Sequence, residues 1–365
     1  MKHAALQVVA GFHGTALGPE LKELIDAGIG GVVVFSRNIE EPDQLAELIE
    51  AIRAHASRPL LVTVDQEGGT VARIREPGTR WPNAAVYART DDPHLVAAAG
   101  TALAKEIRAF GFNLDFAPVL DVMTNPANPV IGPRAFGEQA QTVIRWAGAW
   151  IEGVHATHTG TCGKHFPGHG DTSEDSHVTL PVCSLTEQTL RASHIKPFLD
   201  LRGVIDTIMT AHVMYPALDP NWPATLSPKI IDGMLRSEIG FDGLVFTDDL
   251  EMDAMKSFGD ARVVAHQALE AGNDIVLACH TPEVIEACIA AARDTATLSI
   301  GHEQRCTKSL LRRTDFLKKY PDSGPWSRKE RNLILGCQEH QDLARTFTKW
   351  DTSNEYALQT PVVDT

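Results

Sequence analysis

Short apolar runs recur along the chain and alternate with longer amphipathic stretches. Eight of these runs are rich in Val, Ile, Leu and Phe and are mostly continuous, which is typical of parallel strands that are covered on both faces. They predict strands at residues 6–12, 31–35, 60–65, 113–118, 161–165, 207–212, 243–248 and 274–279.

The stretches between these strands predict helices. Several of them begin with a Pro and acidic residues, which suit the first turn of a helix. The predicted helices run over 41–56, 91–110, 186–201, 227–238 and 281–292. Eight strands, each followed by a helix, predict an α/β protein with a (β/α)8 TIM barrel. A doubly wound open sheet is the competing architecture, and the absence of G-x-G-x-x-G after the first strand argues against it.

The chain changes character after about residue 297. Its apolar periodicity weakens, except at 309–317 and 339–347. We therefore predict a barrel at 1–297, which would carry the chemistry, and a helical C-terminal extension at 298–365. The extension is expected to form two helices on the outside of the barrel and not to be an independent domain.

Composition and charge narrow the classes of function. The 365 residues carry a formal net charge of −14, which argues against nucleic acid and membrane surfaces as partners, because both recruit basic patches. No apolar run reaches the length of a membrane span, and the N-terminus begins with a strand-like pattern rather than a signal peptide. The six Cys are scattered singly, so no disulfide framework is indicated. These features predict a cytoplasmic protein, and we expect a monomer.

Polar residues cluster where the predicted strands end. Strand three ends at Asp65, strand five at Lys164 and His165, strand six at His212 and strand seven at Asp248. Taken alone, Asp65 could cap the next helix and His212 could be a hydrogen-bonded core histidine. Together these residues favour a common site, because catalytic groups converge at the carboxyl-terminal end of barrel strands.

The densest polar segment is 164–177, KHFPGHGDTSEDSH, and its Gly and Pro residues predict a loop. Within it, Asp175 stands two residues before His177. An Asp that accepts a hydrogen bond from one imidazole nitrogen fixes the tautomer and leaves the other nitrogen for proton transfer. An isolated D-x-H is more often a surface pair without a role. The neighbouring Lys164 and His165 favour a catalytic pair here.

A second acidic cluster, with Asp248, Asp249 and Glu251, follows the seventh predicted strand. Carboxylates this close repel one another, so at least one is expected to contact a positive group. A strand-end Asp can act as a nucleophile, and Asp248 is our candidate. The alternative is that these Asp residues cap the following helix, and we assign that role to Asp249.

Residues of the predicted loops supply positive and apolar groups that complement the acidic clusters. Arg37, Arg73 and Arg134 lie after predicted strands two, three and four, where they could bind hydroxyl or carboxylate groups, and Trp81 offers an apolar face. A metal site is a competing hypothesis, because segment 164–177 holds several potential ligands. H-E-x-x-H is absent and Lys164 would repel a cation, so acid–base chemistry is favoured over metal chemistry.

Four segments of the chain resemble glycoside hydrolase family 3. They are VDQEGG at 64–69, GKHFPGHG at 163–170, DSH at 175–177 and FTDDL at 246–250. They are most similar to the bacterial β-N-acetylglucosaminidase branch, which acts in peptidoglycan recycling. The resemblance covers about residues 6–297, and K-H-F-P-G-H-G followed by D-x-H is specific to that branch.

The resemblance implies a retaining exo-β-N-acetylglucosaminidase. Its substrate would be a muropeptide fragment in which N-acetylglucosamine is linked to anhydro-N-acetylmuramic acid. Asp248 would be the nucleophile that forms a covalent glycosyl-enzyme, and His177 would be the general acid and base, oriented by Asp175. The residues implied to bind the sugar are Asp65, Arg73, Arg134, Lys164 and His165. The resemblance implies neither a cofactor nor a metal.

Three alternative functions remain open. A broader family 3 β-hexosaminidase or β-glucosidase belongs to the same class, whereas a barrel metallohydrolase and a sugar-binding module without activity belong to others. Family β-glucosidases carry their acid/base on a second domain. Segment 339–345, EHQDLAR, looks like the one that leads into the extra domain of longer relatives, and a complete second domain is not expected in this chain.

Overall fold

Eight parallel strands form a closed barrel in the computed structural model, which describes residues 3–176 and 179–351. They are β1 Val8–Ala10, β2 Gly31–Val34, β3 Leu61–Val64, β4 Leu114–Asp115, β5 Gly160–Phe166, β6 Thr207–Thr210, β7 Leu244–Asp249 and β8 Ile275–Ala278. Each strand pairs with its neighbours in chain order, and β1 pairs with β8 to close the barrel. The predicted (β/α)8 TIM barrel is confirmed.

The fourth strand is much shorter than the predicted 113–118, because Pro118 has no N–H group for a regular ladder. Towards β5 the backbone hydrogen bonds continue outside strand geometry. The N–H of Cys162 donates to the carbonyl of Ala117 at 2.7 Å, and that of Lys164 donates to the carbonyl of Pro118 at 3.2 Å. The barrel wall therefore stays closed beyond the end of β4.

A two-stranded antiparallel hairpin follows β3 and was not predicted. Its strands are Gln66–Gly68 and Val71–Ala72. Gly68 and Gly69 have φ of +94° and +57°, and a Cβ on Gly69 would lie 1.9 Å from Oδ1 of Asn83. Only glycine fits this turn, because both the backbone conformation and the available space exclude a side chain.

Helices surround the barrel between its strands. They are α1 Pro19–Ala27, α2 Pro42–Ala56, α3 Ala84–Tyr87, α4 Pro93–Ala109, α5 Ala140–His155, α6 Glu187–Ala192, α7 Lys196–Leu201, a π-helix at Lys229–Glu238, α8 Ala261–Ala271 and α9 Pro282–Thr295. Four of them begin with Pro, whose fixed φ suits the first helical position. In the described part of the chain, no helix has both the length and the apolar character needed to cross a membrane.

The C-terminal extension contains three described helices rather than two: α10 Ile300–Lys319, α11 Arg328–Ile334 and α12 Gln338–Phe347. Phe316, Leu317 and Tyr320 pack into one apolar cluster with residues at the amino-terminal ends of the barrel strands. α10 therefore closes the bottom of the barrel and does not simply pack on its outside. α11 and α12 lie against α4 instead.

Candidate active site

A cavity of about 770 Å³ opens at the carboxyl-terminal end of the barrel. This volume lies within the range of small-molecule sites. Of the eight predicted site residues, the seven that the structure describes all line this cavity: Asp65, Arg73, Arg134, Lys164, His165, Asp175 and Asp248. The eighth, His177, lies outside the described residues.

Four charged side chains form a buried network in the cavity wall. Nζ of Lys164 lies 2.8 Å from Oδ1 of Asp65 and 2.7 Å from Oε1 of Glu67. Arg134 binds Glu67 with two nitrogens, since Nε lies 2.9 Å from Oε2 and Nη2 lies 2.7 Å from Oε1. A two-point contact between a guanidinium and a carboxylate fixes orientation as well as distance. The network therefore holds its members in one geometry.

The members of this network also determine one another's protonation. Burial alone would raise the pKa of Glu67, but the positive charges of Arg134 and Lys164 hold that pKa well below its ordinary value. Burial alone would lower the pKa of Lys164, but Asp65 and Glu67 raise it above its ordinary value. Lys164 is therefore a cation and Glu67 an anion around neutral pH, and neither is suited to proton transfer.

The hairpin after β3 presents Arg73 to the cavity. Nη2 of Arg73 lies 3.6 Å from Oδ2 of Asp65. Gln66 holds the backbone at this point, because its Oε1 accepts hydrogen bonds from the N–H groups of Arg73 at 2.8 Å and Ile74 at 3.0 Å. Asp65 thus lies between two cations, Lys164 from β5 and Arg73 from the hairpin.

Lys164 and His165 are consecutive, yet both reach the cavity. In a regular strand they would point to opposite faces. The pairing register between β5 and β6 shifts between Lys164 and Phe166. A local irregularity of this kind re-aims side chains, and here it allows one strand end to supply two polar groups.

Asp121, in the loop after β4, anchors the segment that follows β5. Its Oδ2 lies 2.7 Å from Nδ1 of His165, and its Oδ1 accepts a hydrogen bond from the N–H of His169 at 2.6 Å. Asp121 is fully buried, which alone would raise its pKa, but His165 holds the pKa below its ordinary value. An ionised carboxylate only accepts hydrogen bonds, so Nδ1 of His165 carries the proton.

The loop that carries Asp175 is tied back to the same segment by His169. Nδ1 of His169 lies 2.9 Å from Oγ1 of Thr172, and Nε2 lies 3.2 Å from Oγ of Ser176. Burial lowers the pKa of His169 to about 4, so its ring is neutral at pH 7. Asp175 and Ser176, the last described residues before position 177, both line the cavity.

β7 ends in two aspartates, Asp248 and Asp249, and both line the cavity. Oδ1 of Asp248 accepts a hydrogen bond from the N–H of Asp249 at 2.9 Å. Asp249 also contacts the loops around it, since its Oδ2 lies 3.2 Å from Nε2 of His280 and its Oδ1 accepts from the N–H of Glu251 at 3.1 Å. The prediction that Asp249 caps the next helix is wrong, because the N-cap of the following 3-10 helix Asp253–Phe258 is Met252 and that of α8 is Asp260.

Three other candidates from the sequence lie away from the lining. His212 is fully buried, with Nδ1 2.7 Å from Oγ1 of Thr225 and Nε2 2.9 Å from the carbonyl of Asp249. It is a hydrogen-bonded core histidine that holds the end of β7, which is the interpretation that the sequence allowed for this residue taken alone. Arg37 donates from Nε to the carbonyl of Phe12 at 3.1 Å, and Trp81 is buried behind the hairpin.

Sequence reasoning did not assign roles to Glu67, Gln66 and Asp121. Glu67 and Gln66 lie within the segment VDQEGG that carries part of the family resemblance. The side chain of Gln66 binds the nearby backbone of Arg73 and Ile74, whereas the partners of Glu67 come from distant parts of the chain. Asp121 left a signal in the sequence, as one of two acids, with Asp115, in the otherwise apolar run 114–122. A carboxylate in such a run is costly to bury without partners, so it indicates a buried polar contact.

Metal ligation finds no support in the part of the chain that the structure describes. Within residues 3–176 and 179–351, no three His, Cys, Asp or Glu side chains are grouped so that they could hold an ion. The metallohydrolase hypothesis therefore has no site among these residues.

Comparison of the sequence with known protein families shows to which family this chain belongs. The model of the glycosyl hydrolase family 3 N terminal domain matches residues 2–310. The chain belongs to this family. Among curated relatives, the β-hexosaminidase of Pseudomonas aeruginosa is 40% identical over 308 residues, which cover 83% of this chain and 91% of that protein.

Solved structures of family 3 enzymes have the same fold. A β-N-acetylglucosaminidase of the family from Paenibacillus sp. is 35% identical, with a TM-score of 0.87 over 95% of this chain and 68% of that chain. NagZ from Neisseria gonorrhoeae, in complex with N-trifluoroacetyl-D-glucosamine, is 30% identical, with a TM-score of 0.79 over 94% of this chain and 97% of that chain. The predicted family and its glycoside hydrolase class are confirmed.

Proposed function

We propose that this family 3 enzyme is a retaining exo-β-N-acetylglucosaminidase that releases terminal N-acetylglucosamine from peptidoglycan fragments. The observation that carries the proposal is that Asp248 on β7 and Asp175 on the loop after β5 line the same cavity. The activities after which the relatives are named, β-hexosaminidase and β-N-acetylglucosaminidase, support the choice of an N-acetylated sugar.

In the first step, the carboxylate of Asp248 attacks the anomeric carbon. The bond from this carbon to the aglycone oxygen breaks, and that oxygen takes a proton from the imidazolium of His177. A covalent glycosyl-enzyme results. In the second step, the imidazole of His177 takes a proton from water, the water oxygen bonds to the anomeric carbon, and Asp248 leaves as a carboxylate. Two inversions give retention of configuration.

Asp175 has the role of orienting His177. A carboxylate that accepts from one ring nitrogen stabilises the imidazolium and fixes the tautomer of the neutral ring. An imidazole suits both steps, because its ordinary pKa of about 6.5 lies near neutral pH. The hydrogen bond between His169 and Ser176 supports the loop at the residue between this pair.

The terminal sugar is bound by the charged network. Hydroxyl groups of the sugar accept from cationic nitrogens and donate to carboxylates, and the cavity offers both kinds of group side by side. The residues proposed to bind it are Asp65, Arg73, Arg134, Lys164 and His165. Because Glu67 and Asp121 hold Arg134 and His165, and Lys164 and Arg73 face Asp65, these residues lose little conformational entropy when sugar binds.

Turnover of a chromogenic β-N-acetylglucosaminide tests the proposal. We expect Asp248→Asn to lose roughly 10⁴-fold or more in kcat, since removal of a covalent nucleophile leaves only residual catalysis. Wild-type enzyme incubated with a 5-fluoro N-acetylglucosaminyl fluoride should release the anomeric fluoride and gain the mass of one glycosyl group on the peptide that contains Asp248. Substantial turnover by the Asn variant, or a label on another residue, would overturn the assignment.

Parallel assays separate the alternative functions. A β-glucoside turned over as fast as the N-acetylglucosaminide would favour a broader family 3 hydrolase, and loss of activity in a chelator would favour metal chemistry. Sedimentation analysis tests the proposed monomer, and cell fractionation tests the proposed cytoplasmic location. Release of N-acetylglucosamine from its disaccharide with anhydro-N-acetylmuramic acid tests the proposed muropeptide substrate.

A further inference from the structure

Glu106, on α4, is a buried carboxylate that collects donors from two distant parts of the chain. Oε2 accepts a hydrogen bond from the N–H of Thr79 at 2.9 Å, and Oε1 accepts from the hydroxyl of Thr79 at 2.6 Å. Oε1 also accepts from the N–H of Gly336 at 3.1 Å and lies 2.8 Å from Nδ1 of His340. Glu106 and His340 are each 4% exposed, so these contacts are shielded from water.

One donor segment lies inside the family match and the other lies beyond its end. Thr79 lies in the loop between β3 and α3, whereas Gly336 and His340 belong to the C-terminal extension, beyond residue 310 where the match ends. A buried carboxylate is costly unless its oxygens are hydrogen-bonded. Glu106 therefore fixes the position of the loop relative to α12.

The fit between the two segments is close. A Cβ on Gly336 would lie 1.9 Å from the carbonyl oxygen of Pro77, so the extension touches the loop backbone directly. The ring of His340 lies 6.3 Å from that of Trp81, centroid to centroid. The segment from Pro77 to Trp81 is thus bordered by the extension on one side.

On its other side, the same segment supports the hairpin. The N–H of Gly69 donates to the carbonyl of Trp81 at 2.7 Å, and the N–H of Thr70 donates to Oδ1 of Asn83 at 3.0 Å. A Cβ on Gly68 would lie 3.2 Å from Cβ of Trp81. The hairpin therefore rests on the residues that the extension holds.

The hairpin in turn supplies part of the cavity wall. Glu67, Thr70, Val71 and Arg73 all line the cavity. We propose that His340 of α12, acting through Glu106, is a positioning residue for the sugar-binding hairpin. This inference rests on the proposed function in one respect, which is that Arg73 binds the terminal sugar.

The test is steady-state kinetics of the full chain with a chromogenic β-N-acetylglucosaminide. His340→Leu removes the donor to Glu106 and leaves a buried carboxylate short of a partner. We expect KM to rise roughly tenfold or more with kcat changed less than about twofold, because a displaced binding group weakens ground-state and transition-state binding together. His340→Asn places an amide donor near the position of Nδ1 and should restore KM.

A matched control separates positioning from simple loss of stability. Ala344→Gly weakens the same helix, since glycine in a helix interior is unfavourable, but it leaves His340 and Glu106 in place. We expect this variant to unfold at a lower urea concentration and to keep the wild-type KM. A rise in KM equal to that of His340→Leu would show that α12 acts only through global stability, and would overturn the inference.

Arg73→Ala distinguishes failure of the inference from failure of the proposed function. If Arg73→Ala leaves KM unchanged, the assignment of the hairpin to sugar binding fails. If Arg73→Ala raises KM but His340→Leu does not, only the positioning role fails.

Hydrogen exchange provides a second measurement should His340→Leu not fold. Thr79→Val removes one hydroxyl bond to Glu106 at nearly constant volume. In this variant we expect faster amide exchange across residues 66–74 and a smaller rise in KM in the same direction. Unchanged exchange and unchanged KM in Thr79→Val would overturn the inference.

Discussion

Buried charge occurs at both ends of the barrel, but the two ends use it differently. At the amino-terminal end, Asp274 lies 2.5 Å from Nη2 of Arg236 and 2.9 Å from Nη1 of Arg312, and it accepts from the hydroxyl of Ser309 at 2.7 Å. Two of these partners come from α10, which covers this end of the barrel. The charges here hold the extension to the barrel.

At the carboxyl-terminal end, the network of Asp65, Glu67, Lys164 and Arg134 borders the open cavity. The ion-pair distances are similar at the two ends, so pairing alone does not identify a site. What differs is the space beside the charges. A paired charge beside a cavity can exchange part of its contacts for a ligand, whereas one beneath a helix serves only the fold.

Among the variants that compare the two ends of the barrel, the largest effect should come from Lys164→Met, which removes the cation between Asp65 and Glu67. Arg73 and Arg134 still face Asp65 and Glu67, but each carboxylate loses its contact with the buried ammonium. Breaking a buried ion pair in this way costs about 3–5 kcal/mol. We expect this loss in urea unfolding, together with a fall in kcat/KM of roughly 100-fold or more. Wild-type values of kcat and KM in this variant would contradict the proposal that the network binds the sugar.

A change of similar size on stability, but with no effect on turnover, is expected for Asp274→Ala at the opposite end. Arg236 would be left as a buried cation without its carboxylate, which costs about 3–4 kcal/mol. Activity per folded molecule should stay at the wild-type level, measured below the unfolding transition. A change in KM would contradict the separation of the two ends.

The pH dependence of stability should show a contribution from His169 at the cavity. Its pKa of about 4 in the folded protein lies below the ordinary value of about 6.5 expected when it is unfolded. Above pH 6.5 the ring is neutral in both states. As the pH falls from 6.5 to 4, only the unfolded state takes the proton, so up to about 3 kcal/mol of stability is lost.

His169→Gln removes this group, so its stability should fall less steeply between pH 6.5 and 4 than that of the wild type. Urea unfolding at a series of pH values measures the slope. His94→Gln, at an exposed position on α4, is the matched control and should keep the wild-type slope. Equal slopes in all three proteins would contradict the buried, neutral ring.

The smallest effect is expected for Lys319→Met at the amino-terminal end. Nζ of Lys319 lies 2.7 Å from Oδ1 of Asp206, but the lysine side chain is 61% exposed. Asp206 keeps His155 at 2.6 Å and the hydroxyl of Tyr320 at 2.7 Å. An exposed pair contributes at most about 1 kcal/mol, so the unfolding midpoint should barely move and turnover should not change.

The sequence predicted the barrel well, because each strand is a short apolar run whose character does not depend on distant residues. The predicted length of β4 was wrong, because Pro118 interrupts the hydrogen-bond ladder. The predicted position of α10 was also wrong, since this helix lies beneath the barrel and not on its outside. Phe316 and Tyr320 could have filled any apolar surface. Only the assembled strands show which surface was open.

At the cavity, the sequence by itself determined which strand ends carry polar groups, such as Asp65 and Asp248. It did not determine their partners. Glu67, in the hairpin after β3, binds Lys164 of β5, and Asp121 holds His165, which is 44 residues away in sequence. Such pairings depend on barrel closure and on the register shift in β5, which are properties of the whole fold. The sequence alone therefore determined which polar residues stand at the strand ends. The tertiary structure decided which of them form ion pairs and where the cavity lies, because distances between remote side chains exist only once the chain is folded.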